Sequence, residues 1–224
     1  MPSPVLHLLL ALTLRSSIVP GGAFAQNEPA ADELVAQGWE IGAWAGAGVS
    51  VVVRPLGGIP NRQLYMGGIY AAHQVAGGRR LALSYFAEWL PLAVSTHTPR
   101  SAGVWLYSWG RFDSLFAPGS DRRGPVAGTG LVPLGLRASA SLGSSLVAFG
   151  EAAGGAVGFT SNVPDTGSRR LNFLAFAGLG IRSSRGVRPA LLVGYRFVHL
   201  SNAHTAPRNP GFNAHLLYVG VAFP

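Results

Sequence analysis

From Trp39 onward the chain alternates between strand-like segments and turn-rich connections, and the connections themselves alternate in length. Eight segments, at 38–53, 63–74, 80–94, 126–139, 145–158, 170–182, 187–200 and 214–223, are rich in β-branched, aromatic and small residues and bounded by turn signals. Short connections at Ala76-Gly77-Gly78-Arg79, Leu142-Gly143-Ser144 and Ser183-Ser184-Arg185-Gly186 alternate with longer ones at 54–62, 95–125, 159–169 and 201–213. An even number of strands joined by short turns on one side and long loops on the other is the plan of a small barrel that crosses an outer membrane. The expected fold class is therefore all-β: an eight-stranded antiparallel transmembrane outer-membrane β-barrel over 38–224.

Composition agrees with that plan. Mean hydropathy is +0.30 and only 12% of residues are charged, yet no long apolar run follows the N-terminus. A barrel spreads its hydrophobicity over alternate residues, so it is apolar without such a run. Gly is abundant at 31 residues, which suits a narrow, filled interior. Cysteine is absent, which excludes disulfides and thiolate chemistry.

Residues 1–25 read as an export signal. Val5 to Leu14 forms a short apolar core, and Ala23-Phe24-Ala25 matches a small-x-small cleavage pattern before Gln26. Arg15 follows the core rather than preceding it, so a retained membrane anchor is the alternative. Residues 26–37 are expected to form a short periplasmic lead-in. All 17 basic residues are arginine, against 9 acids; removing Arg15 with the signal leaves 16 − 9 = +7. That charge is dispersed rather than clustered, which argues against nucleic acid.

Parity within the segments assigns faces. Trp39, Ile41, Ala43, Ala45, Ala47, Val49, Val51 and Val53 share one face of the first strand, opposite Glu40, Gly42, Trp44, Gly46, Gly48 and Ser50. A charge facing lipid at mid-bilayer costs roughly 2–4 kcal/mol, so Glu40, Glu88, Glu151, Arg137, Arg182 and Arg196 are expected to point inward and pair. The second and fifth segments alternate poorly and Pro133 interrupts the fourth, leaving a soluble β-sandwich as the alternative fold.

The same parity places a polar group on the outer wall. If Arg196 faces inward, then Tyr195, Phe197, His199 and Ser201 face outward, and Asn213, His215 and Leu217 do so in the last strand. His199 and Ser201 lie side by side on one face, and the loop containing Pro207, Asn209, Pro210 and Gly211 returns the chain so that Asn213 approaches the imidazole. A nucleophile, a base and an orienting group in that order are the parts of acyl transfer. The side chain of Asn202, or backbone N–H groups near Ala203, would stabilise an oxyanion. The alternative is a rim histidine and a turn-initiating serine. The histidines at 199, 204 and 215 match no usual zinc spacing, and no cofactor is implied.

The run His199-Leu200-Ser201-Asn202-Ala203, followed by Arg208-Asn209-Pro210-Gly211 and a closing apolar strand, resembles the PagL family of lipid A 3-O-deacylases. Gly130-Leu131-Val132-Pro133-Leu134-Gly135-Leu136-Arg137 and Gly194-Tyr195-Arg196-Phe197 are also similar to that family. The resemblance is specific over 187–224 and looser over 38–186. It implies an outer-membrane esterase that removes the hydroxyacyl chain ester-linked at the 3-position of lipid A, with His199 as base and Ser201 as nucleophile. The family's glutamate falls at Asn213, which can orient the ring but supplies no charge.

The expected partners are lipid A or lipopolysaccharide in the outer leaflet and the surrounding membrane lipids, with a homodimer as a further expected association. Loop arginines (Arg100, Arg111, Arg122, Arg123, Arg169, Arg170, Arg208) suit lipid A phosphates through their planar fork, or simply solvate the loops. Trp105, Tyr107, Trp109, Phe112 and Phe116 in the second long loop read as a lipid-interface group or as that loop's own core. Against the esterase stands a catalytically silent barrel with a structural or surface role.

Overall fold

The computed structural model describes residues 38–54, 56–60, 62–78, 80–97, 104–108, 111–115, 124–183 and 188–223, with backbone alone at 97, 104–108 and 111–115. The expected export signal (1–25) and lead-in (26–37), and Arg100, Trp109, Phe116, Arg122 and Arg123, lie outside the described residues. The strands are β1 (Trp39–Val51), β2 (Arg62–Gly77), β3 (Leu81–His97), β4 (Val104–Ser108), β5 (Arg111–Leu115), β6 (Val126–Ser141), β7 (Leu146–Val163), β8 (Arg169–Ser183), β9 (Ala190–Ser201) and β10 (Phe212–Phe223). Eight of them close into an antiparallel barrel in the order β1-β10-β9-β8-β7-β6-β3-β2. Closure leaves no unpaired edge, the condition for burying a sheet in lipid.

Two sequence expectations change. The connection 95–125 holds a hairpin of its own, β4 paired with β5, which its turn-rich composition concealed. Several strands also run past their expected ends: β7 continues to Val163, because Gly and Ala in its upper half lower its apparent strand signal without preventing pairing. Conversely β9 starts at Ala190, directly after Pro189, which has no N–H to give to a ladder.

The expected parity holds. Trp39, Ile41, Val49, Leu179, Leu191, Val193, Leu217 and Val219 are exposed on the outer wall, while Trp44, Tyr70, Phe86, Phe149, Phe176 and Tyr218 are buried in the lumen. A continuous apolar exterior around a packed interior is the pattern that lipid, not water, demands. β2, whose hydropathy alternates poorly, alternates cleanly in burial; its inward residues Leu64, Met66 and Tyr70 are themselves apolar, which hides the pattern from the sequence. Pro133 lies at a break in register between Leu131 and Leu134, and its carbonyl accepts from the Tyr85 hydroxyl.

Inside, charges pair across the barrel. Glu40 meets Arg182 at 2.7 Å and Arg137 at 3.5 Å; Glu151 meets Arg196 at 2.7 Å and Arg137 at 2.9 Å; Glu88 meets Arg196 at 3.2 Å. Tyr70 donates to Glu40 and Tyr218 to Glu151, and the Trp44 indole N–H reaches Glu88. The Arg196 guanidinium lies over the rings of Phe176 and Trp44, at 4.1 and 4.4 Å from their centroids. Glycines admit these rings: a Cβ on Gly42 would meet Tyr70, and one on Gly194 would meet Tyr218, both at 2.4 Å. Buried charge is tolerated here because each carboxylate is both paired and hydrogen-bonded.

Candidate active site

The last two strands bring the polar cluster together. In the β9–β10 ladder His199 sits opposite Asn213, one residue pair inside the end of the sheet. Ser201 ends β9, two residues beyond His199, so both side chains share the outward face. His199 and Ser201 are half-buried, whereas Asn213 is fully buried although its parity is outward. The cover is the β1–β2 loop: Gly57 places its carbonyl over the Asn213 amide, and Asn213 Nδ2 donates to that oxygen at 2.8 Å.

This contact fixes the imidazole's tautomer. With Nδ2 facing Gly57, Asn213 presents Oδ1 to His199, 2.6 Å from Nδ1. An amide oxygen only accepts, so the proton is on Nδ1 and Nε2 is left as the basic nitrogen.

Ser201 is held by the loop that follows it. Asn209 Nδ2 donates to Ser201 Oγ at 3.1 Å, and the Ala203 N–H donates to the same oxygen at 3.1 Å. The orientation of Asn209 is set by the Asn202 N–H, which donates to Oδ1 at 3.1 Å. Ala203 and His204 take left-handed φ of 50° and 60°, a costly pair that turns the chain and aims the Ala203 N–H back at Ser201. Among the described residues no hydrogen bond joins His199 to Ser201; catalytic contacts of this kind commonly close only when substrate is bound.

Of the two expected oxyanion donors, the Ala203 N–H lies on Ser201 Oγ and the Asn202 side chain points away from it. Asn202 is turned inward, and its Nδ2 donates to the Arg208 carbonyl at 2.7 Å, so it braces the loop. Asn209 was read from the sequence as turn chemistry and as part of the family resemblance, but not as a partner of Ser201; its spacing of eight from Ser201 across a tight loop was the available signal. Two of the loop arginines also have protein partners. Arg208 pairs with Asp165 at 3.1 Å, and Arg169 donates to the Thr205 carbonyl at 2.6 Å, so the β7–β8 loop clasps the β9–β10 loop.

The fold and this cluster define a class, the small outer-membrane barrels, here with a polar constellation set into the outer wall at the long-loop end. The sequence matches the lipid A 3-O-deacylase (PagL) family over residues 80–222, more than half of the chain, and the protein belongs to that family. The crystal structure of the outer membrane enzyme PagL is similar in fold, with a TM-score of 0.55 at 16% identity, covering 80% of this chain and 98% of that one. The outer membrane protein OprG from Pseudomonas aeruginosa is also similar, with a TM-score of 0.37 at 10% identity over 83% of this chain and 95% of that one. Among curated protein sequences none matches.

Proposed function

We propose that this protein is an outer-membrane esterase that hydrolyses the acyl ester at the 3-position of lipid A. The observation that carries the reading is the His199–Asn213 pair beside Ser201 on the outward wall of a family member. An ester in the outer leaflet reaches that wall by lateral diffusion, with its acyl chain lying along exposed Phe173, level with Ser201, and down the wall toward exposed Leu179.

The chemistry follows from the atoms present. His199 Nε2 takes the proton of Ser201 Oγ as that oxygen attacks the ester carbonyl, forming a tetrahedral oxyanion. Asn209 Nδ2 and the Ala203 N–H, which donate to Ser201 Oγ before attack, are the donors proposed to shift onto the carbonyl oxyanion as Oγ becomes acylated. One such donor contributes about 3–4 kcal/mol where it has been tested by mutation. Collapse passes the proton from His199 to the sugar alkoxide and leaves the acyl group on Ser201. Water, deprotonated by His199, then releases the fatty acid and restores the serine. Asn213 holds the ring throughout. No cofactor enters these steps. Exposed Arg170, at the loop end of β8, suits the lipid A phosphates.

The test is mass analysis of lipid A from cells with and without the protein. Loss of one hydroxyacyl chain only in cells that carry it supports the reading. Unchanged lipid A in both, with folded protein present in the outer membrane, favours a structural barrel.

A further inference from the structure

By its resemblance to the family, Asn213 falls where a glutamate is expected, and the simplest view is of an eroded site that a carboxylate would restore. The surroundings of Asn213 say otherwise. We propose that Leu56-Gly57-Gly58 in the β1–β2 loop is a positioning element of the active site, built to hold an amide and not a carboxylate at position 213. This inference rests on the esterase reading and deepens it.

The Asn213 amide faces two partners of opposite demand. Its Oδ1 must accept from His199 Nδ1, and its Nδ2 must donate to the Gly57 carbonyl. A carboxylate meets the first demand and fails the second, because it has no proton for the Gly57 oxygen. At a fully buried position, two facing acceptors with no proton between them repel, and solvent does not reach them to relieve it. Glutamate adds a methylene as well, where Asn213 is already in hydrogen-bond contact on both sides.

The Gly57 carbonyl is not free to turn away. It also accepts from the Val53 N–H at 2.9 Å, so both its lone pairs are in use. The neighbouring Gly58 N–H donates to the Pro210 carbonyl at 2.7 Å, tying the loop to the β9–β10 loop that carries Asn209. Gly57 and Gly58 have φ of 73° and 135°, a backbone path that side chains rarely follow, and a Cβ on Gly58 would fall 2.5 Å from the Val51 carbonyl and 3.0 Å from Asn213 Nδ2. Gly211 completes the seam: at φ 71° it lets the Leu56 carbonyl approach to where its own Cβ would be, 3.5 Å from His199 Cε1. The loop is therefore fitted to this face, and the amide is the group that fits the loop.

The full-length protein, refolded in detergent and checked for the barrel form by its heat-modifiable gel mobility, tests this with purified lipid A. A fluorophosphonate that labels activated serine gives a second readout independent of lipid binding. The wild type is compared with Asn213→Glu, Asn213→Asp, Gly58→Ala and the Asn213→Glu/Gly58→Ala double variant. Both acid variants are expected to lose at least about tenfold in kcat and in labelling rate with KM little changed, because an unsatisfied buried pair replaces a satisfied one. Gly58→Ala is expected to lower kcat in the wild-type background, and to reduce the further loss caused by Asn213→Glu. A merely structural role for the loop would lower the folded yield and leave kcat per folded molecule unchanged, which overturns the proposal. If Asn213→Glu equals or exceeds an active wild type, or is active where the wild type is inert, position 213 is an eroded carboxylate site and the proposal is overturned. If every form is inert toward lipid A and probe alike, the esterase reading fails and takes this inference with it.

Discussion

The lumen and the rim of this barrel use polar residues in opposite ways. In the lumen, Glu40, Glu88 and Glu151 face Arg137, Arg182 and Arg196, all from strands, and nearly every pairing is made across the barrel. At the rim, His199, Ser201 and Asn213 stand at strand ends and are oriented by backbone groups of loops, the Gly57 carbonyl and the Ala203 N–H among them. In the lumen network three carboxylates and three guanidinium groups pair, and with the buried rings they fill the space a pore would need. At the rim, among the described residues His199 makes its hydrogen bond through Nδ1 alone, and Ser201 is half-exposed. A single β9 strand carries a residue of each region, Arg196 inward and His199 outward, three residues apart.

The sharpest way to break this comparison is at Ser201. Ser201→Ala is expected to abolish deacylation, by at least about a thousandfold, with the unfolding midpoint in urea unchanged. His199→Ala should come close to that loss, since the serine then has no base. In the lumen the pattern reverses. Glu151→Ala leaves Arg137 and Arg196 without their shared partner and is expected to destabilise the barrel by about 3–5 kcal/mol, while activity per folded molecule is retained. Urea unfolding followed by gel mobility and lipid A assays on the folded fraction separate the two quantities.

Smaller effects sharpen the boundary between the regions. Asn209→Ala removes one proposed oxyanion donor and is expected to cost about a hundredfold in kcat with little change in KM, measured by steady-state deacylation. Asp165→Asn breaks the partly exposed pair with Arg208 that clasps two loops. It is expected to lower activity by about threefold or less, because exposed pairs contribute little, and raising salt should reproduce part of that loss in the wild type.

The two regions also differed in how far the sequence revealed them. Strand parity follows a period of two, so one inward arginine on β9 sufficed to place Tyr195, Phe197, His199 and Ser201 outward, and the lumen charges were legible for the same reason. His199 opposite Asn213 was legible because a loop rich in Pro, Asn and Gly closes a tight return. What was hidden depends on contacts between segments distant in sequence. Asn213 is separated from Gly57 by 156 residues, and nothing in a turn such as Leu56-Gly57-Gly58 announces which carbonyl it will present or to whom. Asn202 continues the inward parity of Arg196, Val198 and Leu200, so the period of two already set its side chain on the face away from Ser201. The β4–β5 hairpin was hidden because each strand is only five residues long.

The central claim is that the rim cluster hydrolyses an acyl ester, and the most direct measurement is deacylation of purified lipid A by the refolded protein in detergent, beside Ser201→Ala. The account predicts loss of one hydroxyacyl chain by mass in the wild type and none in the variant. Equal release by both, or no release by a wild type whose barrel is fully folded, would contradict it.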